Sequence, residues 1–153
     1  LMNLHAALVS IEESKSSLEK AKKFISSERN GAESIFIGKV RNENDKKKVI
    51  AVTYDTHDQA VIKTFHTICN SAKDKFDKNS KIFLEHTKGY VPVGEISILI
   101  AVGSGHRDEA FKICRYILEE VKHQSPIWKK EHYADGKEEW LPGHSLRPKK
   151  EIK

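Results

Sequence analysis

Apolar residues recur at helical spacing in two long stretches of the chain. Between Asp58 and Phe76, the side chains of Val61, Ile62, Phe65, Ile68, Cys69, Ala72 and Phe76 fall on one face, which predicts an amphipathic helix packed on a sheet. Between Asp108 and Lys122 the same spacing joins Ala110, Cys114, Ile117, Leu118 and Val121, and Pro126 enforces the end. Shorter apolar runs predict strands at Leu4 to Ile11, Ser34 to Arg41, Val49 to Tyr54, Lys81 to His86 and Glu95 to Val102. Gly38, inside the second of these, marks a bulge or a close backbone approach. After the first strand, Ser16-x-x-Glu19 reads as a capping box for a helix with Leu18, Ala21 and Ile25 on one face, ended by Asn30-Gly31. The polar loop from Asn42 to Lys48 predicts a hairpin between its flanking strands. Lys88 to Gly94 reads as a turn-rich connection. Asp135-Gly136 predicts a last hairpin, between Trp128 to Tyr133 and Glu138 to Leu141. Strands and helices mix without regular alternation, so the fold class is α+β, with mixed or antiparallel sheets, amphipathic helices and a C-terminal hairpin.

At 153 residues the chain can bury a core as a single domain without disulfides or metals. The expected core spans residues 31–141, with a basic, flexible tail at 142–153. Leu1 ahead of Met2 reads as an added residue, with Met2 as the start. Lys and Arg number 27 against 22 Asp and Glu, a net charge of +5, which leans toward an anionic partner such as a nucleotide, a phosphate ester or an acidic protein. The runs Lys46-Lys47-Lys48 and Lys149-Lys150 fall in a loop and in the tail. Neither forms a stripe interleaved with aromatics, so both read as solvated charge and not as a nucleic-acid face. The two cysteines, Cys69 and Cys114, sit on apolar helix faces and read as buried thiols. No Cys-x-x-Cys pair or Cys/His cluster at ligand spacing points to a metal, and no cofactor is expected. With no long apolar run and no signal-peptide pattern, neither a membrane span nor secretion is predicted, and the cytoplasm fits best.

The candidate chemistry lies in three places. In Lys122-His123-Gln124-Ser125-Pro126-Ile127-Trp128-Lys129, two ammonium groups bracket one turn and can converge on one anionic substrate. Trp128 supplies apolar bulk, and lysines that crowd each other and lose water shift toward the neutral, reactive form. The competing reading is a solvated basic turn with Trp128 in the core. Gly103-Ser104-Gly105-His106-Arg107 joins a strand to a helix, where backbone N–H groups can hold an anion and His106 and Arg107 add charge. An ordinary connection with Arg107 on the surface is the alternative there. Arg41, at a strand end, presents a planar fork to a phosphate or carboxylate, or forms a rim salt bridge. Arg41, His106, Arg107, Lys122 and Lys129 together make a cationic set without a carboxylate dyad, serine triad or metal cage. Such a set suits a phosphate-bearing substrate and a developing oxyanion, with lysine moving protons. It does not suit glycoside hydrolysis.

Three blocks in order carry a family resemblance: Phe36-Ile37-Gly38-Lys39-Val40-Arg41-Asn42, then Gly105-His106-Arg107 with Ala110-Phe111, then Lys122-x-x-x-Pro126-x-Trp128-Lys129-Lys130-Glu131. From about Gly31 to Trp140 the chain resembles the large, catalytic subunit of molybdopterin synthase, the MoaE family. The resemblance implies an α/β hammerhead fold and a sulfurtransferase of molybdenum-cofactor biosynthesis. The implied substrate is cyclic pyranopterin monophosphate, which gains a dithiolene. The implied sulfur donor is a small ubiquitin-like subunit with a thiocarboxylated Gly-Gly tail. The implied assembly is a heterotetramer built around a homodimer of large subunits. By position, Lys122 and Lys129 match the catalytic pocket lysines. Lys39, Val40 and Arg41 match a substrate-contacting strand end. His106 and Arg107 match a phosphate or pterin contact that a neighbouring large subunit can supply. Lys130 and Glu131 complete the last block as substrate-binding residues, with Glu131 able to orient a lysine through an ion pair.

The chain departs from the family pattern at three points, one of which is the tail after Trp140, which aligns poorly. His86-Thr87-Lys88-Gly89 stands where His-Arg-x-Gly is common, which removes an arginine unless Lys88 replaces it. Tyr54-Asp55-Thr56-His57 stands where a Glu-His-Tyr-like sequence is common. The alternative of another class is a non-enzymatic basic module that binds nucleic acid or an acidic protein, for which steep salt dependence is the signature. A persulfide on Cys69 or Cys114 is disfavoured, since a catalytic thiol needs exposure and a positive neighbourhood.

Overall fold

The computed structural model describes residues 3–142. Leu1, Met2 and the expected tail beyond Pro142 lie outside that range. The chain runs β1 (Leu4–Val9), α1 (Ile11–Ser14), α2 (Ser17–Ile25), β2 (Ala32–Lys39), β3 (Glu43–Asn44), β4 (Lys47–Thr56) and α3 (Asp58–Lys75). It continues through β5 (Lys81–Thr87), β6 (Gly89–Pro92), β7 (Ile96–Ser104), α4 (Arg107–Gln124), β8 (Ile127–Tyr133) and β9 (Glu138–Trp140). The class is α+β, as expected.

Two sheets form. The first has the order β1-β5-β7-β2, with β1 parallel to β5 and the other pairs antiparallel. Its central strands read Lys81-Ile-Phe-Leu-Glu-His-Thr87 and Ile96-Ser-Ile-Leu-Ile-Ala-Val-Gly-Ser104 and are buried almost throughout. Near-continuous apolar strands of this kind need cover on both faces. On one face Ala21 and Ile25 of α2 pack on Phe83, Leu99 and Ala101. On the other, Val61, Phe65 and Ile68 of α3 and Ile113, Ile117 and Val121 of α4 pack on Ile82, Leu84, Ile98 and Ile100. This larger core continues into the second sheet through Val49, Val52, Val91, Ile127 and Tyr133. The second sheet places β4 between β8 and the short strands β3 and β6, with β9 outside β8. Both β1 and α2 share in these cores, although they precede the stretch that carries the family resemblance.

Four local expectations need correction. The predicted hairpin between Ser34–Arg41 and Val49–Tyr54 does not form: β2 pairs with β7 in the first sheet, and β4 pairs with β6 and β8 in the second. The tight hairpin lies within the loop, joining β3 to β4 through Asp45 and Lys46, both at positive φ, the turn conformation that matches strand twist. The capping box is built not by Ser16 and Glu19 but by Ser10 and Glu13 at the start of α1. Ser16 Oγ donates back to the Glu13 carbonyl and accepts no cap bond from the amides of α2. Helix α2 ends at Ile25, ahead of Asn30-Gly31, and Asn30 Nδ2 donates to the Ile25 carbonyl at 3.3 Å. Within the supposed turn region, Gly89–Pro92 forms the edge strand β6, where a proline is tolerated.

Candidate functional site

At the end of β2 the backbone leaves the first sheet and crosses to the second. The pairing register with β7 shifts between Gly38 and Lys39, the irregularity that Gly38 signals. A Cβ on Gly38 would lie 2.7 Å from Ile98 Cγ2, so the strand end packs too closely for a side chain there. The Val40 N–H donates to the Glu95 carbonyl at 3.1 Å, and the Gly94 N–H donates to the Val40 carbonyl at 2.8 Å. The two chain crossings therefore run side by side, and the site forms along their seam.

Lys39, Val40 and Arg41 there meet Tyr54 of β4 and Lys129 and Glu131 of β8 around a cleft of about 140 Å³, which Glu43 and Asn44 of β3 also line. Strand alternation decides which parts of the Trp128-Lys129-Lys130-Glu131 block take part. Lys129 and Glu131 share a face with Ile127 and Tyr133, which are buried. Lys130 points from the other face, pairs with Glu138 at 2.9 Å and lies over the Trp140 ring at 5.1 Å. The structure does not bring Lys130 to the cleft.

The Glu131 carboxylate is buried and accepts from Asn44 Nδ2 at 3.1 and 3.0 Å and from the Tyr133 hydroxyl at 2.9 Å. It thereby ties the small β3–β4 hairpin to β8 and acts on Lys129 through charge. Burial pushes the Lys129 ammonium below the ordinary lysine range; Glu131 works against that shift and the Arg41 guanidinium works with it.

Lys122, in the last turn of α4, does not line this cleft. Its charge and that of Lys129 both act on His86, which is fully buried. His86 Nδ1 lies 2.8 Å from the Thr87 carbonyl, which can only accept, so Nδ1 carries the proton and Nε2 is left as an acceptor. Burial pushes His86 down to about 4, against 6.5 ordinarily, with the two lysines adding to the shift. The ring is therefore neutral at physiological pH. Tyr54 meets it edge-on at 4.9 Å.

His106 and Arg107 stand at the opposite end of α4, about 22 Å from Lys122 along the helix axis at 1.5 Å per residue. Both are exposed. His106 lines a separate cleft of about 340 Å³ with Asn30, Asp77, Lys81 and Glu109. The loop was expected to offer its amides to a bound anion. Instead, the chain's own Asp77 carboxylate stands against this loop: Ser104 Oγ donates to it at 2.5 Å, and the nearby Gly105 amide helps hold the acid below its usual range.

The departures from the family pattern also find their places. Thr87 is buried and donates to the Ile96 carbonyl at 2.8 Å, while Lys88 pairs with Asp58 at the start of α3. Lys88 therefore does not stand in for an arginine at the cleft. Cys69 and Cys114 are buried and unpaired, and burial pushes the Cys69 thiol up to about 12. The residue-type reading missed Asn44, Asp77 and the seclusion of His86. Asn44 and Asp77 look like ordinary loop polar residues, and only the tertiary contacts single them out.

A family model described as MoaE protein matches residues 11–124. The molybdopterin synthase catalytic subunit of Synechococcus elongatus is 40% identical over 129 residues, covering 84% of this chain and 78% of the relative. That of Pyrococcus abyssi is 39% identical over 133 residues, covering 87% and 88%. The crystal structure of molybdopterin synthase from Staphylococcus aureus superposes with a TM-score of 0.79 at 27% identity, covering 91% of this chain and 96% of that one. A chain from the complex of subunits 1 and 2 of the Helicobacter pylori molybdopterin-converting factor shares the fold, with a TM-score of 0.73 at 22% identity.

Proposed function

The chain belongs to the MoaE family, and on that premise we propose that it is the catalytic subunit of a molybdopterin synthase. It transfers sulfur from the thiocarboxylated Gly-Gly tail of a small ubiquitin-like subunit to cyclic pyranopterin monophosphate, building the dithiolene. Each of the two dithiolene sulfurs comes from one thiocarboxylate. A C–S bond forms at a pterin side-chain carbon, which loses an oxygen substituent, and the acyl C–S bond breaks as water replaces sulfur to leave a carboxylate. A tetrahedral oxyanion develops at the acyl carbon on the way. Cations in a secluded site stabilise such a charge far better than they would in water.

The observation that carries this reading is Lys129: a lysine made less basic by burial, beside Arg41, in a cleft on the seam between the sheets. A lysine with a lowered pKa exchanges protons more readily near neutral pH. Lys129 and Lys122 anchor substrate, move protons and stabilise the oxyanion, and Lys39, Val40 and Arg41 hold the anionic substrate. Glu131 sets the charge of Lys129 and the position of β3, and Lys130 braces the hairpin to β9. The elevated thiol of Cys69 supports direct transfer from the thiocarboxylate without a cysteine persulfide.

The cleft, at about 140 Å³, is smaller than the roughly 300 Å³ at which pockets begin to enclose a drug-sized ligand. It takes one part of a pterin phosphate. His106 and Arg107 lie too far along α4 to reach the same molecule within one chain. Their role as phosphate or pterin contacts therefore calls for a second copy, in a homodimer that carries two small subunits. We place the protein in the cytoplasm, which its two unpaired, buried thiols support. No helix among the described residues is long and apolar enough to cross a membrane.

Incubation with cyclic pyranopterin monophosphate and a thiocarboxylated small subunit, followed by assay for the dithiolene product, tests the activity. Lys129→Ala is expected to lower turnover on the order of 10² to 10³ fold, the scale of one oxyanion-stabilising donor, in a folded protein. Turnover within about threefold of the parent would remove Lys129 from the chemistry.

A further inference from the structure

The loop that carries His106 and Arg107 is held by a carboxylate that belongs to neither the cleft nor the loop. Asp77 follows the end of α3, in a tight turn closed by the Ser80 N–H donating to its carbonyl at 3.1 Å. Its Oδ1 accepts from the Asn79 amide at 2.9 Å, which fixes the side chain within its own turn. Its Oδ2 faces the other way and accepts from Ser104 Oγ at 2.5 Å, and the nearby Gly105 amide favours the charged carboxylate. Partial burial works to raise the pKa of this group, but the bonds from Ser104, Asn79 and Gly105, with the Lys73 charge, more than offset it and hold the acid below its usual range.

The opposite side of the loop is also confined. A Cβ on Gly31 would lie 2.8 Å from the Gly105 carbonyl, and one on Gly103 would lie 2.5 Å from the Ile25 carbonyl. The backbone of residues 103–105 is thus pressed between the end of α2 and the Asp77 turn. His106 begins α4 as its N-cap with no side-chain cap bond, so the helix does not dictate where its ring points. The backbone before His106 fixes where its ring leaves the fold, and the same backbone leads directly into the first turn of α4, where Arg107 stands.

We infer that Asp77 is a positioning residue, which aims His106 and Arg107 at substrate by holding Ser104 and Gly105. This rests on the reading of those two residues as substrate contacts. A carboxylate suits the task because its two oxygens accept from Asn79 and Ser104 at once, one on each side, and because it is tied to a rigid turn. An asparagine of the same shape keeps one acceptor oxygen and puts an NH₂ group where the second was, so it cannot accept on both sides.

Reconstituted synthase with a thiocarboxylated small subunit, assayed over a range of cyclic pyranopterin monophosphate, separates the possibilities. Asp77→Asn is the main variant, because it conserves volume; Asp77→Ala is the second. Both are expected to raise KM for the pterin about tenfold, the scale of a modest misplacement of a binding group, with a smaller change in kcat. Arg107→Ala is expected to raise KM similarly. The double variant Asp77→Asn, Arg107→Ala is expected to be no worse than the poorer single one, since both act through the same contact. A merely structural role for Asp77 would multiply the two defects and overturn the inference. A raised KM in Arg107→Ala beside an unchanged one in folded Asp77→Asn would overturn the positioning role alone. Unchanged KM in both His106→Ala and Arg107→Ala would remove the substrate-contact reading, and the inference with it.

Discussion

Two buried groups beside the cleft make opposite statements about charge. Glu131 favours the ammonium form of Lys129, against burial and Arg41. Replacing its carboxylate by the neutral amide in Glu131→Gln is therefore expected to lower the Lys129 pKa further, as read by NMR titration of labelled lysine; an unchanged or raised value would contradict the assigned sign. His86 works through linkage. Its folded value of about 4 lies below the ordinary 6.5, so between those pH values the unfolded chain binds a proton that the folded chain refuses. Stability must then fall as pH drops through that window, by on the order of 3 kcal/mol in all. Denaturant melts at pH 7 and pH 5 measure the loss. In His86→Gln the difference between the two melts should shrink, whatever the substitution does to stability at pH 7.

At the scale of elements, the contact between the end of α2 and the end of β7 leaves no room for a side chain. A Cβ on Gly103 would meet the Ile25 carbonyl at 2.5 Å and Asn30 Nδ2 at 2.8 Å, whereas one on Gly105 would meet nothing within 4 Å. Gly103→Ala is expected to destabilise by about 1 to 3 kcal/mol, and Gly105→Ala to stay within about 0.5 kcal/mol of the parent, both by equilibrium unfolding. Equal effects would mean that the close approach relaxes at little cost. The same scale shows what the sequence made legible. Helices α3 and α4 could be read because each buries one face, and that leaves a 3.6-residue period in the chain. The partner of β2 could not, because a polar loop signals a reversal without saying which strand lies alongside, and β7 is remote in sequence. Two Ser-x-x-Glu stretches lie close together, one at the start of α1 and one at the start of α2, and local chemistry alone does not say which of them forms a capping box. At the candidate cleft, residue type and family blocks pointed to Arg41 and Lys129, which the fold brings to one lining. The Asn44–Glu131 tie, the seclusion of His86 and the outward turn of Lys130 depend on how two sheets meet, and no local pattern encodes that.

For the whole molecule, the strand order has a consequence in the time it takes to make the chain. In the first sheet β7 lies between β5 and β2, and in the second β8 lies beside β4. Each is the later partner in sequence, so β2, β4 and β5 emerge from a ribosome before the strands that join them. A fragment that stops at residue 95 holds β1, β2 and β5 without the strand that links β2 to the others, and lacks α4, which covers one face. Such a fragment is expected to show no cooperative melt by circular dichroism and to aggregate, because unpaired apolar strands seek other chains. A soluble, cooperatively folding fragment would contradict this. Synthesis of the intact protein therefore passes through a vulnerable interval that closes only as residues 96–133 appear. Slow translation across β7 would lengthen the exposure, which makes the yield of this protein sensitive to codon choice and chaperone supply as well as to the stability of its finished fold.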